Sequence, residues 1–219
     1  MQYSDADALS KALTDGSLDM AAPVSASTAT GLNGKDGLTV KEGATTDKVL
    51  LAYNNGTDSL LSDEQARKAF RYQIDAAGIA SAQPDTAGAL GGPISLLEPG
   101  YEDLTGLYPH DENQAGQMFS YFGAQYLTTV NLVVPEEYRS LAETIKQQIE
   151  RQPRPTVNLE VLSDEDYAKR IKDGKWELTV MSMDGTDDAG IFADPDSMFH
   201  YDHTEALAPP LMTPIMRHE

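Results

Sequence analysis

Residues 155–195 read PTVNLEVL, SDEDYAKRIKDGK, WELTVMSM and DGTDDAGIFADP in succession. Val157, Leu159 and Val161 alternate with Asn158 and Glu160, the period of two that marks a half-buried strand. Ser163 stands where a helix needs its N-cap, and Asp166 three residues on occupies a capping-box position. Tyr167, Ala168 and Ile171 then supply one apolar stripe. Asp173-Gly174 closes the helix, because a glycine takes the left-handed conformation past the last turn without a Cβ clash. Trp176, Leu178, Val180 and Met181 restart a strand pattern. A strand, a short helix and a strand in this order favour a right-handed crossover and a parallel pair. In open α/β sheets, ligands collect beyond the carboxyl ends of the strands. That position holds Asp184, Asp187, Asp188 and Asp194.

The stretch before it extends the same pattern. Leu127–Val134 reads as a strand, and Pro135 opens a helix to about Gln152, since proline suits the first helical position. Tyr138, Leu141, Ala142, Ile145 and Ile149 form its stripe. Asp111 caps a helix to about Phe122, with Ala115, Met118, Phe119 and Phe122 apolar. Residues 83–110 are rich in Pro and Gly; a loop of this length in a compact domain is functional or wrapped over the body. Ser62-Asp63-Glu64-Gln65 is a second capping box. It starts a helix through Ile74, with Ala66, Ala69, Phe70 and Ile74 inward. Lys48–Tyr53 (KVLLAY) is a buried strand ended by Asn54-Asn55-Gly56. Residues 25–47 read as a loop with one strand near Leu38–Val40. Asp5–Thr14 is a short amphipathic helix closed by Gly16. Beyond Phe199 the chain becomes a Pro-rich tail with little pattern.

At 219 residues the chain can bury one good core. A formal net charge of −19 sets its surface. Such a field repels phosphate backbones and anionic membranes, so nucleic acid is excluded as a partner. It suits a cationic ligand or plain solubility. The absence of cysteine rules out disulfides, zinc–thiolate sites and a cysteine nucleophile. No apolar run approaches the ~20 residues of a membrane span, and no stretch reads as a signal peptide. The opening MQYSDADALSKAL is already helical in pattern, as expected of a segment cut from a longer chain.

His200-Tyr201-Asp202-His203, with Asp194 or Asp196, has ligand types that suit a metal, but no third ligand on a common face follows from the spacing. Asp184, Asp187, Asp188, Asp194 and Asp196 contain the raw material for a carboxylate pair, yet loops also favour Asp for turn-making alone. A carboxylate- or metal-dependent hydrolase using Asp184–His203 is the alternative reading this region raises. Gly88, Gly91 and Gly92 match no phosphate loop, as no strand precedes and no Lys-Ser/Thr follows. Tyr101 and Tyr108 are better candidates than Trp176 for exposed aromatics, although ordinary loop packing accounts for them slightly better. Trp176, early in a strand, suits core or edge packing.

Four colinear stretches then carry a family resemblance. They are Ala8–Ala21 (ALSKALTDGSLDMA); Val49–Asp75, with Asp63, Arg67, Ala69, Ile74 and Asp75 on a D-x-x-x-R-x-A…I-D pattern; Gly100-Tyr101 followed by Asp111–Gly123; and Glu143–Pro195 with its closing D-P-D. Together they resemble family 5 extracellular solute-binding proteins, the oligopeptide, dipeptide and nickel class that feed ABC importers. The resemblance runs to about Phe199. It departs at Ala76, where the family has Arg, and at Met181-Ser182-Met183, where an aromatic Gly-Trp is common.

The resemblance implies a type II periplasmic-binding-protein fold. Residues 1–203 are expected to form one α/β lobe with a central mixed sheet flanked by helices. Residues 204–219 are expected to be a C-terminal tail, with a junction as one reading of it. The function implied is solute binding, of a peptide or similar small molecule, in a cleft shared with a missing N-terminal lobe of the same protein. ABC permease subunits are the implied partners, and the full-length protein is expected outside the cytoplasm, anchored as a lipoprotein. No catalytic residue, metal or cofactor is implied. The expected ligand-binding residues are Asp184, Asp187, Asp188, Asp194 and Tyr101; in peptide-binding relatives an acid before the D-P pair anchors the ligand's amino group, a region held here by Asp187 and Asp188.

Overall fold

A computed structural model describes residues 5–22, 24–41, 43–56, 58–83, 88–121 and 124–185, with the backbone of 212–216. Among them, five strands form one mixed sheet in the order β3-β2-β4-β1-β5. These are β1 Lys48–Tyr53, β2 Thr129–Pro135, β3 Thr156–Leu162, β4 Leu178–Met183 and β5 Met212–Met216. β2 runs parallel to both β3 and β4, while β1 runs antiparallel to β4 and β5. The expected β3–β4 neighbours are thus separated: both are parallel to β2, which lies between them. All six residues of β1 are buried, which accounts for the apolar run that follows Lys48.

Helices cover both faces. One face holds the main core, where Val49, Leu51, Leu132, Val134, Leu178 and Val180 meet Phe70, Phe119, Ile145 and Ile149. These come from α3 Glu64–Gln73, α5 Glu112–Tyr121 and α6 Arg139–Ile149. Complete burial of a Leu or Phe contributes about 1.5–3 kcal/mol each, so this face dominates the fold's stability. The Phe70 and Phe119 rings meet edge-on, with centroids 5.1 Å apart. The other face is thinner: Leu50, Ala52, Met181 and Met183 cluster with the half-buried Trp176. There α7, Asp164–Lys172, ties to the sheet by Arg170–Glu160 at 2.8 Å and by Tyr167 Oη and Thr179 Oγ1 at 2.9 Å. No residue of α7 is fully buried, although its stripe is present.

Capping explains where the helices begin. Ser163 Oγ accepts from Asp166 N–H at 3.2 Å, and Gly174 takes φ +67° after the last turn of α7, both as the pattern predicts. Asp111 Oδ1 accepts from the N–H groups of Asn113 and Gln114. At α3 the cap is Asp63, not Ser62: its Oδ1 accepts from Gln65 N–H at 2.6 Å.

Other boundaries differ from expectation. Pro135 ends β2, and a 3₁₀ turn at Glu136–Tyr138 precedes α6. Residues 25–47 contain α2, Ala26–Leu32, capped by Ser25; Leu38–Val40 forms no strand. Asp75 caps a further helix, α4 Ala76–Ser81, where the reading had ended. α1, Ala6–Thr14, forms as expected. Within the stretch read as a patternless tail, β5 pairs with β1 at the sheet's edge, where a proline such as Pro214 is tolerated because one side of the ladder is open.

Candidate functional site

The parallel strands β2, β3 and β4 all finish at one end of the sheet, at Pro135, Leu162 and Met183. Because β1 is antiparallel, it contributes its start there: Lys48 lies opposite Met183. Asp184, the first residue beyond β4, is exposed at this end. Gly185 then passes hard against the preceding segment of β1. A Cβ on Gly185 would stand 1.9 Å from Thr46 Oγ1 and 2.0 Å from Thr46 Cβ, so only glycine fits. Gly185 is therefore seated on Thr46.

A second segment reaches the same end. Glu98, in the Pro/Gly-rich stretch, forms a fully buried ion pair with Lys48. Its Oε2 also accepts from Ser95 N–H at 2.6 Å. Tyr101 follows on this turn, half-buried, with its N–H bonded to Glu98 O at 3.3 Å. Tyr101 is thus carried to the end of the sheet where Asp184 emerges.

The base of that segment is fastened separately. Gly91 is pressed on the backbone of Leu104, where a Cβ would meet Leu104 C at 2.2 Å. Arg71 of α3 donates from Nη2 to Gly91 O at 3.3 Å and stacks over the Tyr108 ring at 4.7 Å from its centroid. Burial pulls the Arg71 guanidinium below its usual range and pushes the Tyr108 hydroxyl up. Tyr108 is half-buried and packs edge-on against Tyr72 at 5.7 Å, the ordinary loop packing expected of it.

Of the expected ligand-binding residues, Asp184 and Tyr101 belong to this end of the sheet. Asp187, Asp188 and Asp194 lie outside the described residues, as do Asp196, His200 and His203. The hydrolase reading of Asp184–His203 therefore meets the described residues only at Asp184 and Gly185. Among the described residues, no group of three or more His, Asp or Glu side chains is placed to hold a metal. No helix among them is long and apolar enough to cross a membrane. The residues that sequence reasoning missed are Thr46, Lys48, Gly91, Glu98 and Gly185. Only Lys48 carried a signal, as a charge opening an otherwise apolar strand.

Comparison with known proteins places this geometry. HbpA2 from Haemophilus parasuis is 16% identical with a TM-score of 0.70, over 83% of this chain and 37% of its own. The oligopeptide-binding protein AppA from Bacillus subtilis, solved with a nonapeptide, is 15% identical with a TM-score of 0.62, over 86% of this chain and 41% of its own. NikA from Staphylococcus aureus, solved with Ni(L-His)2, is 17% identical with a TM-score of 0.64, over 89% of this chain and 43% of its own. At such identities the likeness is one of fold, a mixed α/β part of a type II periplasmic binding protein. The chain spans less than half the length of each of these structures. No curated protein sequence matches it. The model for bacterial extracellular solute-binding proteins, family 5, middle part, matches residues 1–204, and the chain belongs to that family.

Proposed function

We propose that this chain forms one wall of the solute cleft of an ABC importer's receptor, and that the solute is a peptide. The observation that carries this reading is the family match over residues 1–204, in which the parallel strands end where the acidic segment begins. A net charge of −19 favours a solute with a cationic end, such as a free amino terminus. Structures of similar fold hold a nonapeptide, the dipeptide Met-Leu and Ni(L-His)2. A second lobe closes over the solute, and ABC permease subunits receive it. The chain supplies binding and no catalysis, and the full protein is a lipoprotein held at the outer face of the membrane.

Asp187 or Asp188 anchors the amino terminus, with Asp184 and Asp194 adding to the negative field and Tyr101 lining the wall. The test is calorimetry on the full-length gene product with unblocked trileucine, N-acetylated trileucine and Ni(L-His)2. Saturable binding of unblocked trileucine is expected, with N-acetylation weakening it by about tenfold or more. One of Asp187→Asn and Asp188→Asn abolishes that discrimination. Binding of Ni(L-His)2 alone refutes the peptide reading.

A further inference from the structure

The ion pair between Lys48 and Glu98 joins two segments fifty residues apart in sequence. The Lys48 side chain is 0% exposed and that of Glu98 2%. Lys48 sits where β1 starts, opposite Met183, so the pair lies at the end of the sheet from which Asp184 leaves. The two residues before Glu98 are Leu96, 66% exposed, and Leu97, 52% exposed. Tyr101 follows three residues later on the same turn. Two exposed leucines and a tyrosine are thus mounted on a turn whose centre is held by a charge.

A buried ion pair is a poor device for stability alone. Desolvating both charges offsets their attraction, and packed apolar side chains of similar volume hold as well or better. What the pair supplies is a location. The buried ammonium needs an acceptor within hydrogen-bond reach, so the carboxylate it donates to is held near it, whereas apolar contacts tolerate sliding. Gly91 against Leu104, and Arg71 on Gly91, secure the base of the segment without the pair. Lys48 and Glu98 therefore set the tip. The Ser95 hydroxyl beside them is buried with no hydrogen-bond partner among the described residues, so the turn is not the one that best satisfies its own polar groups.

We infer that Lys48 and Glu98 are positioning residues for solute binding, holding Leu96, Leu97 and Tyr101 as an apolar wall for a side chain of the peptide. This rests on the solute-binding reading above. The pair favours peptides with an apolar side chain over those without one.

The experiment uses the full-length gene product carrying Lys48→Met with Glu98→Gln, which leaves Ser95 N–H an acceptor. Thermal unfolding, calorimetry with trileucine and with triglycine, and amide exchange without peptide are measured. The variant is expected to unfold near the wild-type temperature while its affinity for trileucine falls by about tenfold and that for triglycine by less than about threefold. Exchange at the amides of Glu98 and Tyr101, both hydrogen-bonded within the turn, is expected to quicken by about tenfold. A purely structural pair would lower the unfolding temperature and leave the trileucine-to-triglycine ratio unchanged. That outcome, or wild-type trileucine affinity in the folded variant, overturns the inference. If the wild-type protein takes up neither peptide, the solute-binding reading fails, and unchanged exchange at the tip would separately overturn its positioning by the pair. A second neutral pair, Lys48→Leu with Glu98→Gln, which strands no buried charge and keeps an acceptor for Ser95 N–H, guards against a first that does not fold, and the same ratio and exchange decide it.

Discussion

Replacing Gly185 with Ala is the sharpest probe of how the acidic segment is seated. The new Cβ would lie 1.9 Å from Thr46 Oγ1 and 2.0 Å from Thr46 Cβ. Ordinary contact begins near 3.5 Å, so the two segments must part by roughly 1.5 Å. Rotating Thr46 moves only its outer atoms; its Cβ is fixed to the backbone. Overpacking of this kind costs about 1–3 kcal/mol. At about 2–4 °C per kcal/mol for a chain of this size, the melting temperature should fall by about 2–12 °C. Circular dichroism against temperature reads that shift. Two second-site changes separate the causes. Thr46→Ala removes Oγ1 but keeps Cβ, and should recover little. Thr46→Gly removes both atoms and should recover most of the loss, less the ~0.5–1 kcal/mol that an added glycine costs. Because Asp184 is the adjacent residue, peptide affinity should fall and recover in step with stability. An unchanged melting temperature for Gly185→Ala, or full rescue by Thr46→Ala, would refute the close approach as drawn.

Three further outcomes are expected. Phe119→Ala should destabilise the fold by about 3–5 kcal/mol in urea denaturation, since a fully buried ring packed edge-on against Phe70 is removed. Arg67 donates from Nη1 to Leu61 O and Ser62 O, both at 2.7 Å, so Arg67→Met should cost about 1–3 kcal/mol in the same assay, chiefly by stranding the buried Leu61 carbonyl. At Glu150, burial pushes the carboxyl up, but the Val157 N–H and the Lys146 ammonium outweigh it and hold the group below its ordinary value. Its folded value being the lower one, its stabilisation is present above the ordinary carboxylate range and is lost as pH falls through the folded value. Chemical denaturation of Glu150→Gln should therefore show a deficit at neutral pH that shrinks on acidification; a deficit constant with pH would contradict the sign.

The parts of the fold legible in the sequence are those whose signal is local. Ser163, the apolar stripe and Gly174 mark α7 because caps and periodicity act within a dozen residues. β1 was legible because a strand buried on both faces reads as an unbroken apolar run. Strand order was not legible. Nothing in residues 155–183 says that β2 lies between β3 and β4, since that choice depends on which strand edges are free when the units meet. α2 escaped because Ser, Thr, Ala and Gly give no hydrophobic period, and its Ser25 cap looks like any loop serine. Pro135 misled in the other direction: proline suits a helix start, but it equally ends a strand by withholding its N–H.

The site was half legible for a topological reason. The rule that ligands sit beyond carboxyl strand ends is a rule about parallel strands. It finds Asp184 because β4 is parallel to β2. β1 runs the other way, so at the same end of the sheet it presents its first residue, Lys48, and Thr46, which precedes it. A reader of the sequence searching after each strand passes over both. Glu98 is further hidden, since its importance exists only through Lys48, fifty residues earlier. An antiparallel strand in a mixed sheet thus lends the carboxyl end of its parallel neighbours a residue chosen by register alone. The charge on that residue is accounted for by the turn it holds at that end of the sheet, through Glu98.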